Sequence, residues 1–197
     1  MKTQEEWEAL PYEERKRLLS ISYTFYHERK FFGGTANSLE VLNLIKKHRY
    51  NTHLDYGTGT GGLFVYTNRR ILDMSGRKVK TRPYDPYSTS EEYRMKPAED
   101  ERFDLVSCTD VLEHILPEDI DDVLWTLVNH TKKMLYCTIA TYPASKMICD
   151  EKGKDIYNQS LHTLVRPKKW WLDKFEALEQ KLYDEQNRWI SMDLRFD

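Results

Sequence analysis

Thr52-His53-Leu54-Asp55-Tyr56-Gly57-Thr58-Gly59-Thr60-Gly61-Gly62 reads as a short strand, Thr52 to Tyr56, running straight into a glycine-rich turn and then a helix, Leu63 to Asp73. Glycine is needed where the backbone turns left-handed or lets a ligand come close. A helix start behind such a turn points free amide groups at an anionic or polar nucleotide-like ligand. Four glycines in six residues exceed what a tight turn alone requires. Gly57-x-Gly59-x-x-Gly62 also satisfies the dinucleotide fingerprint, and Asp85, 23 residues beyond Gly62, can stand for its ribose-binding acid. A nicotinamide-dependent oxidoreductase is therefore one open reading of this stretch.

Strands and helices alternate outward from the turn. Thr3 to Leu10 and Tyr12 to Arg29 read as helices, with Pro11 at their junction. Ser38 caps a helix through Lys47, whose Leu39, Leu42 and Ile45 form one apolar stripe. Lys78 to Tyr84 is a second strand closed by Asp85-Pro86, and Phe103 to Cys108 a third. Pro117 to His130 is a helix and Lys133 to Thr141 a fourth strand. Tyr142 to Arg166 reads as a long irregular loop, and such loops usually carry function. After a helix from Pro167 to Leu178, Glu179–Asp184 and Arg188–Phe196 resemble the strands of a terminal hairpin. The expected fold is an open, doubly wound, mostly parallel α/β sheet with a C-terminal antiparallel hairpin. One domain is expected, a helical lid over residues 1–37 and a Rossmann-like core over 38–197.

Composition narrows the classes. The 197 residues are 40% hydrophobic and 31% charged with a net charge of −2, an ordinary globular mixture without a field for drawing in nucleic acid or a membrane surface. No apolar run approaches the roughly 20 residues of a membrane span. The three cysteines, Cys108, Cys137 and Cys149, lack metal-ligand spacing and read as small hydrophobes. A cytoplasmic location is the default expectation.

Two features shift the balance away from a dinucleotide enzyme. Asp55 stands two residues before the first glycine, where dinucleotide enzymes usually carry an apolar residue. Phe103-Asp104-Leu105-Val106-Ser107-Cys108-Thr109-Asp110-Val111-Leu112-Glu113-His114-Ile115 is a strand followed by an acidic turn. Together these resemble the class I S-adenosylmethionine-dependent methyltransferases, in particular the small-molecule branch related to ubiquinone-biosynthesis O-methyltransferases. The D-x-G-x-G-x-G motif is matched at Asp55, Gly57, Gly59 and Gly61, and the D-V-L-E-H-I segment from Asp110 to Ile115. The resemblance spans about Leu39 to Thr141.

It implies S-adenosylmethionine as cofactor. Tyr56, Gly57, Thr58, Gly59 and Gly61 would bend around its methionine and ribose portions. Asp85, followed by Pro86, would accept hydrogen bonds from both ribose hydroxyls. Asp55 would order the loop or meet the cofactor's amino group through water, and Thr109 and Asp110 would lie beneath the sulfonium. Thr58 stands where the family often has cysteine. The chain between Asp85 and Phe103 is too short for the family's usual helix, strand and acidic adenine loop. The sheet is expected to be shortened there, with Glu99, Asp100 or Glu101 as the adenine's polar contact.

The acceptor is expected to be a small molecule, a sugar or a modified nucleoside. Asp85-Pro86-Tyr87 only hints at the motif of amino-methylating nucleic-acid enzymes, and no Pro-Cys nucleophile pair is present. Nucleic acid stays open through Arg77–Arg82 or Lys168-Lys169-Trp170-Trp171, where cations meet aromatics; the alternative is a solvated strand edge and core tryptophans. His162 and His114 are the candidate catalytic residues, since a hydroxyl acceptor needs its proton taken. His114 with Glu113 can instead brace the turn. No metal site is expected, because Asp119, Asp121 and Asp122 fall at a helix start, where acids suit the dipole. Tyr23, Phe25, Tyr26, Phe31 and Phe32 are the expected lid aromatics, with Gly33-Gly34 as hinge. A catalytically idle module that keeps the cofactor fold is the remaining reading.

Overall fold

A computed structural model describes residues 1–29, 37–62 and 79–197. Thr3 caps α1 (Gln4–Glu8): its hydroxyl accepts from the Glu6 N–H while the Glu6 carboxylate accepts from the Thr3 N–H, which satisfies two otherwise free helix-end donors. Pro11 precedes α2 (Tyr12–Arg29), and α3 (Ser38–His48) ends on Arg49 in the left-handed region. Then come β1 (Thr52–Tyr56), β2 (Lys80–Tyr84), the single turn α4 (Glu91–Arg94) and β3 (Phe103–Thr109). A 3-10 turn, Leu112–His114, leads to α5 (Ile120–His130) and β4 (Thr131–Ile139). The chain closes with β5 (Met147–Cys149), β6 (Asp155–Ser160), α6 (Lys168–Gln186) and β7 (Ser191–Phe196). The expected helix at 63–73, the Phe31-Phe32 aromatics and the Gly33-Gly34 hinge lie outside the described residues.

Five strands form one sheet in the order β2-β1-β3-β4-β7, and every pairing is parallel. Parallel sheets are covered on both faces. One face packs Leu54, Val106 and Leu135 under Leu124 and Leu127 of α5 and Trp171 and Phe175 of α6. The other packs Leu105 and Tyr136 under Val41, Leu42 and Ile45 of α3. All seven residues of β3 are buried, as a central strand requires. Burying a side chain such as Leu124 stabilises the fold by about 1.5–3 kcal/mol. Cys108, Cys137 and Cys149 are free and buried on β3, β4 and β5. Among the described residues no helix is long and apolar enough to cross a membrane.

Three expectations change. The C-terminal antiparallel hairpin is absent: Glu179–Asp184 continues α6, and β7 pairs with β4 in parallel. Trp171, Phe175 and Leu182 share one buried helical face, and that stripe overrides the local strand-like reading. The antiparallel pair lies instead in the supposedly irregular 142–166 stretch, as β5 and β6. Their turn is held by Asp150, whose carboxylate accepts from the Lys152 and Lys154 N–H groups. Leu39 is 54% exposed; the buried stripe of α3 is Ser38, Val41, Leu42 and Ile45, a three-four spacing that follows the helix period. The shortened segment after β2 is present as read, with no strand between β2 and β3.

The N-terminal helices do not join the sheet. Trp7, Leu18 and Leu19 pack with Ile148, Tyr157 and Leu161 of the β5–β6 hairpin. Ser22 Oγ donates to the Leu18 carbonyl and accepts from the Cys149 N–H. Helix α2 and the hairpin thus form one body beside the carboxyl ends of the strands.

Candidate functional site

With all strands parallel, the turns after β1, β2, β3 and β4 meet at one end of the sheet, where open α/β sheets bind ligands. Gly57, Gly59 and Gly61 have φ of 80°, 58° and 85°. A Cβ on Gly57 would lie 2.2 Å from Val111 Cγ2, so the glycine turn is seated against the Asp110–Ile115 turn. The loop's N–H groups are used internally. Those of Gly57 and Thr58 donate to the Tyr84 carbonyl, that of Gly61 to the Thr58 carbonyl, and that of Gly59 to Asp85 Oδ2 at 2.8 Å. The helix start, where the sequence places free amides, lies outside the described residues.

Asp55 lies beneath the loop. Its Oδ2 accepts from Thr58 Oγ1 at 2.6 Å and its Oδ1 from Ser107 Oγ at 3.4 Å. Burial pushes its pKa up to about 6, opposed by these two hydrogen bonds. A folded-state value above that of a free carboxyl means that the native chain holds this proton more tightly. The resulting stability is present at low pH and is lost as pH rises from about 4 to about 6. Asp55→Asn keeps an acceptor for Thr58 and removes the titration. Urea unfolding at pH 4 to 7 should show wild type gaining up to about 3 kcal/mol on the variant toward acid; a constant difference would contradict the assignment.

Asp85, which closes β2, is 7% exposed. Its Oδ2 holds the Gly59 N–H and its Oδ1 the Tyr87 N–H, both at 2.8 Å. Burial raises its pKa, and the His27 charge and these N–H groups pull it down. A carboxylate has about four acceptor positions, so two remain. Asp110, left-handed at φ 55°, accepts from Thr138 Oγ1 at 2.8 Å.

His114 and His162 come together, their ring centroids 4.7 Å apart and nearly perpendicular. His114 Nδ1 lies 2.9 Å from the Leu161 carbonyl and His162 Nδ1 2.6 Å from the Tyr142 carbonyl. A carbonyl only accepts, so Nδ1 carries the hydrogen in both rings and Nε2 keeps its lone pair. Burial lowers both pKa values, that of His114 to about 3, which keeps the rings neutral. The turn is also tied down by Thr163 Oγ1, which donates to the His114 and Ile115 carbonyls, and by the Leu164 N–H, which donates to the Glu113 carbonyl. Glu113 is fully buried. Its Oε1 accepts from the Ala140 N–H, while Oε2 has no hydrogen-bond partner. Burial pushes its pKa up to about 8. No metal site was expected from the sequence, yet a Glu113 carboxylate oxygen and one ring nitrogen from each histidine lie within 4.8 Å of one another.

One cavity of about 740 Å³ joins these parts. Tyr56, Gly57, Gly59, Asp85, Pro86, Thr109, Asp110, His114 and His162 line it, whereas Asp55, Thr58 and Gly61 lie behind the wall. Of the expected lid aromatics, Tyr23 and Tyr26 of α2 line it as well. Phe25 does not; it packs over Gly153. Other wall residues were given no place at the site by the sequence reading, among them His27 and Tyr142. Tyr87 stacks on Tyr23 with centroids 5.2 Å apart, a contact set by folding alone. Glu99, Asp100 and Glu101 precede β3, at its amino end, away from the cavity; Glu101 pairs with Arg82 at 2.9 Å. They do not meet a ligand there. The basic stretches are likewise engaged: Trp171 is fully buried and Lys169 pairs with Asp173, while positions 77 and 78 lie outside the described residues.

A family model described as a methyltransferase domain matches residues 14–189. No curated protein and no solved structure matches the chain.

Proposed function

This chain belongs to the methyltransferase domain family, and from that premise we propose that it moves the methyl group of S-adenosylmethionine onto a hydroxyl of a small molecule, sugar or modified nucleoside. The carrying observation is that the glycine loop, Asp85 and the His114–His162 pair share one cavity walled by tyrosines. Cavities of this size are typical for small ligands and cofactors.

The loop fits this cofactor better than a dinucleotide. A pyrophosphate calls for free N–H groups, but the loop N–H groups named above are spent internally and the neighbouring side chains are the carboxylates Asp85 and Asp110. Left-handed glycines without Cβ atoms allow close approach of an uncharged or cationic ligand. The two free acceptor positions of Asp85 suit vicinal ribose hydroxyls. When bound, S-adenosylmethionine supplies an electrophilic methyl carbon on a positively charged sulfur. The chain's own work is to orient the acceptor and relieve it of its proton. Tyr23, Tyr87 and Tyr142 give the acceptor flat apolar walls, and the neutral histidines offer lone pairs beside it. Helix α2 and the residues flanking the β5–β6 hairpin, Lys146 and Leu161, wall the cavity on one side.

The test is a screen of hydroxylated aromatics, sugars and nucleosides for release of S-adenosylhomocysteine from S-adenosylmethionine. Release that depends on at least one of these is expected. Release only with polymeric RNA, DNA or protein would overturn the small-acceptor reading.

A further inference from the structure

Two histidines that line the cavity, with a buried glutamate beside them, are a ligand set as well as a proton relay. Two histidines with one carboxylate bind zinc and other first-row divalent ions while leaving positions open. Here each histidine is fixed through Nδ1–H on a backbone carbonyl, the arrangement that orients metal-bound imidazoles and sets their tautomer. The third group is Glu113. It is fully buried, and Oε2 meets no hydrogen-bond donor among the described residues. A buried oxygen left so is destabilising, and a bound cation would satisfy it. One ring nitrogen of each histidine and one Glu113 carboxylate oxygen lie within 4.8 Å of one another. Bonds of about 2.0–2.2 Å require spacings nearer ~3.3 Å, a contraction that side-chain rotation on the two half-buried histidines supplies.

We propose that Glu113, His114 and His162 hold a divalent first-row transition-metal ion whose open positions face the cavity and take the acceptor's hydroxyl oxygen. Its place in catalysis rests on the methyl-transfer reading above; the site itself does not. An oxygen bound to such an ion has a strongly lowered pKa. The hydroxyl proton passes to solvent water, and the oxygen keeps the electron pair as a metal-held alkoxide or phenoxide. The histidines then act as ligands and not as the final proton acceptor.

The full chain, stripped with a chelator and then titrated with Co²⁺, should develop visible ligand-field absorption saturating at one equivalent. His162→Gln and Glu113→Gln should each weaken Co²⁺ binding by more than the roughly 10–100-fold caused by loss of an outer-shell partner. Glu113→Gln keeps an acceptor for the Ala140 N–H, and the more exposed His162 serves should that variant fail to fold. His48→Gln, on the exposed end of α3, should bind Co²⁺ as wild type does. Absent absorption, or equal affinity in wild type and both site variants, overturns the proposal. S-adenosylhomocysteine calorimetry on the stripped sample separates the two readings. Binding of that ligand without a Co²⁺ signal removes the metal site alone. A Co²⁺ signal without that ligand upholds the site and removes the cofactor reading.

Discussion

Replacing Asp85 by alanine is expected to weaken S-adenosylhomocysteine binding by about 10²–10⁴-fold. Two charge-assisted hydrogen bonds to the ribose would be lost, at about 1.5–3 kcal/mol each. The structure adds a second effect. Asp85 also holds the Gly59 and Tyr87 N–H groups at 2.8 Å, so alanine loosens the glycine turn and leaves two donors short of an acceptor. Melting temperature should fall as well. Asp85→Asn keeps one acceptor oxygen and should land between wild type and alanine in both readings. Calorimetry beside thermal melting makes the measurement, and wild-type affinity in Asp85→Ala would show that this carboxylate does not face the ribose.

His162→Gln should lower turnover by roughly 10²-fold or more while S-adenosylhomocysteine affinity stays within about a factor of two. The imidazole lines the cavity, and among the described residues its ring bonds the Tyr142 carbonyl alone. It is half-buried, so the fold should tolerate glutamine. The reading needs an acceptor found by the release screen. Unaltered turnover would remove His162 from the site, and an equal loss of cofactor affinity would move it to the cofactor's side.

Much of the fold was legible because its punctuation is local. Pro11 before α2 and Gly57 after β1 mark boundaries through fixed backbone preferences, and the observed limits Tyr12–Arg29 and Thr52–Tyr56 agree with the reading. The C-terminal error had a physical source. Leu182 and Tyr183 look like strand residues in a short window, yet Trp171, Phe175 and Leu182 are buried together on one helix face. A 19-residue helix then carries the chain back so that β7 can pair in parallel with β4, as parallel neighbours require. The β5–β6 pair was missed because β5 is three residues long and takes its support from α2, through Ser22 and through Tyr26, whose hydroxyl donates to the Met147 carbonyl.

The site divides the same way. The glycine turn and Asp85 are contiguous signals. That His114 and His162 touch across 48 positions, and that Tyr87 stacks on Tyr23, follows only from tertiary packing. Glu113 carried one usable sign: an acid flanked by Leu112 and His114 in an apolar turn needs a reason to be buried. The alternative reading, that Glu113 and His114 brace the turn, is met in another form: each side chain bonds a backbone group of another segment, the Ala140 N–H and the Leu161 carbonyl, beside the ties from Thr163.

Calorimetric titration of the unmodified chain with S-adenosylhomocysteine bears most directly on the central claim. One site with an affinity in the micromolar range, about −8 kcal/mol, is expected, together with a rise in melting temperature through preferential binding to the folded state. NAD should give neither. No heat and no shift with S-adenosylhomocysteine, alongside a clear shift with NAD, would contradict the account.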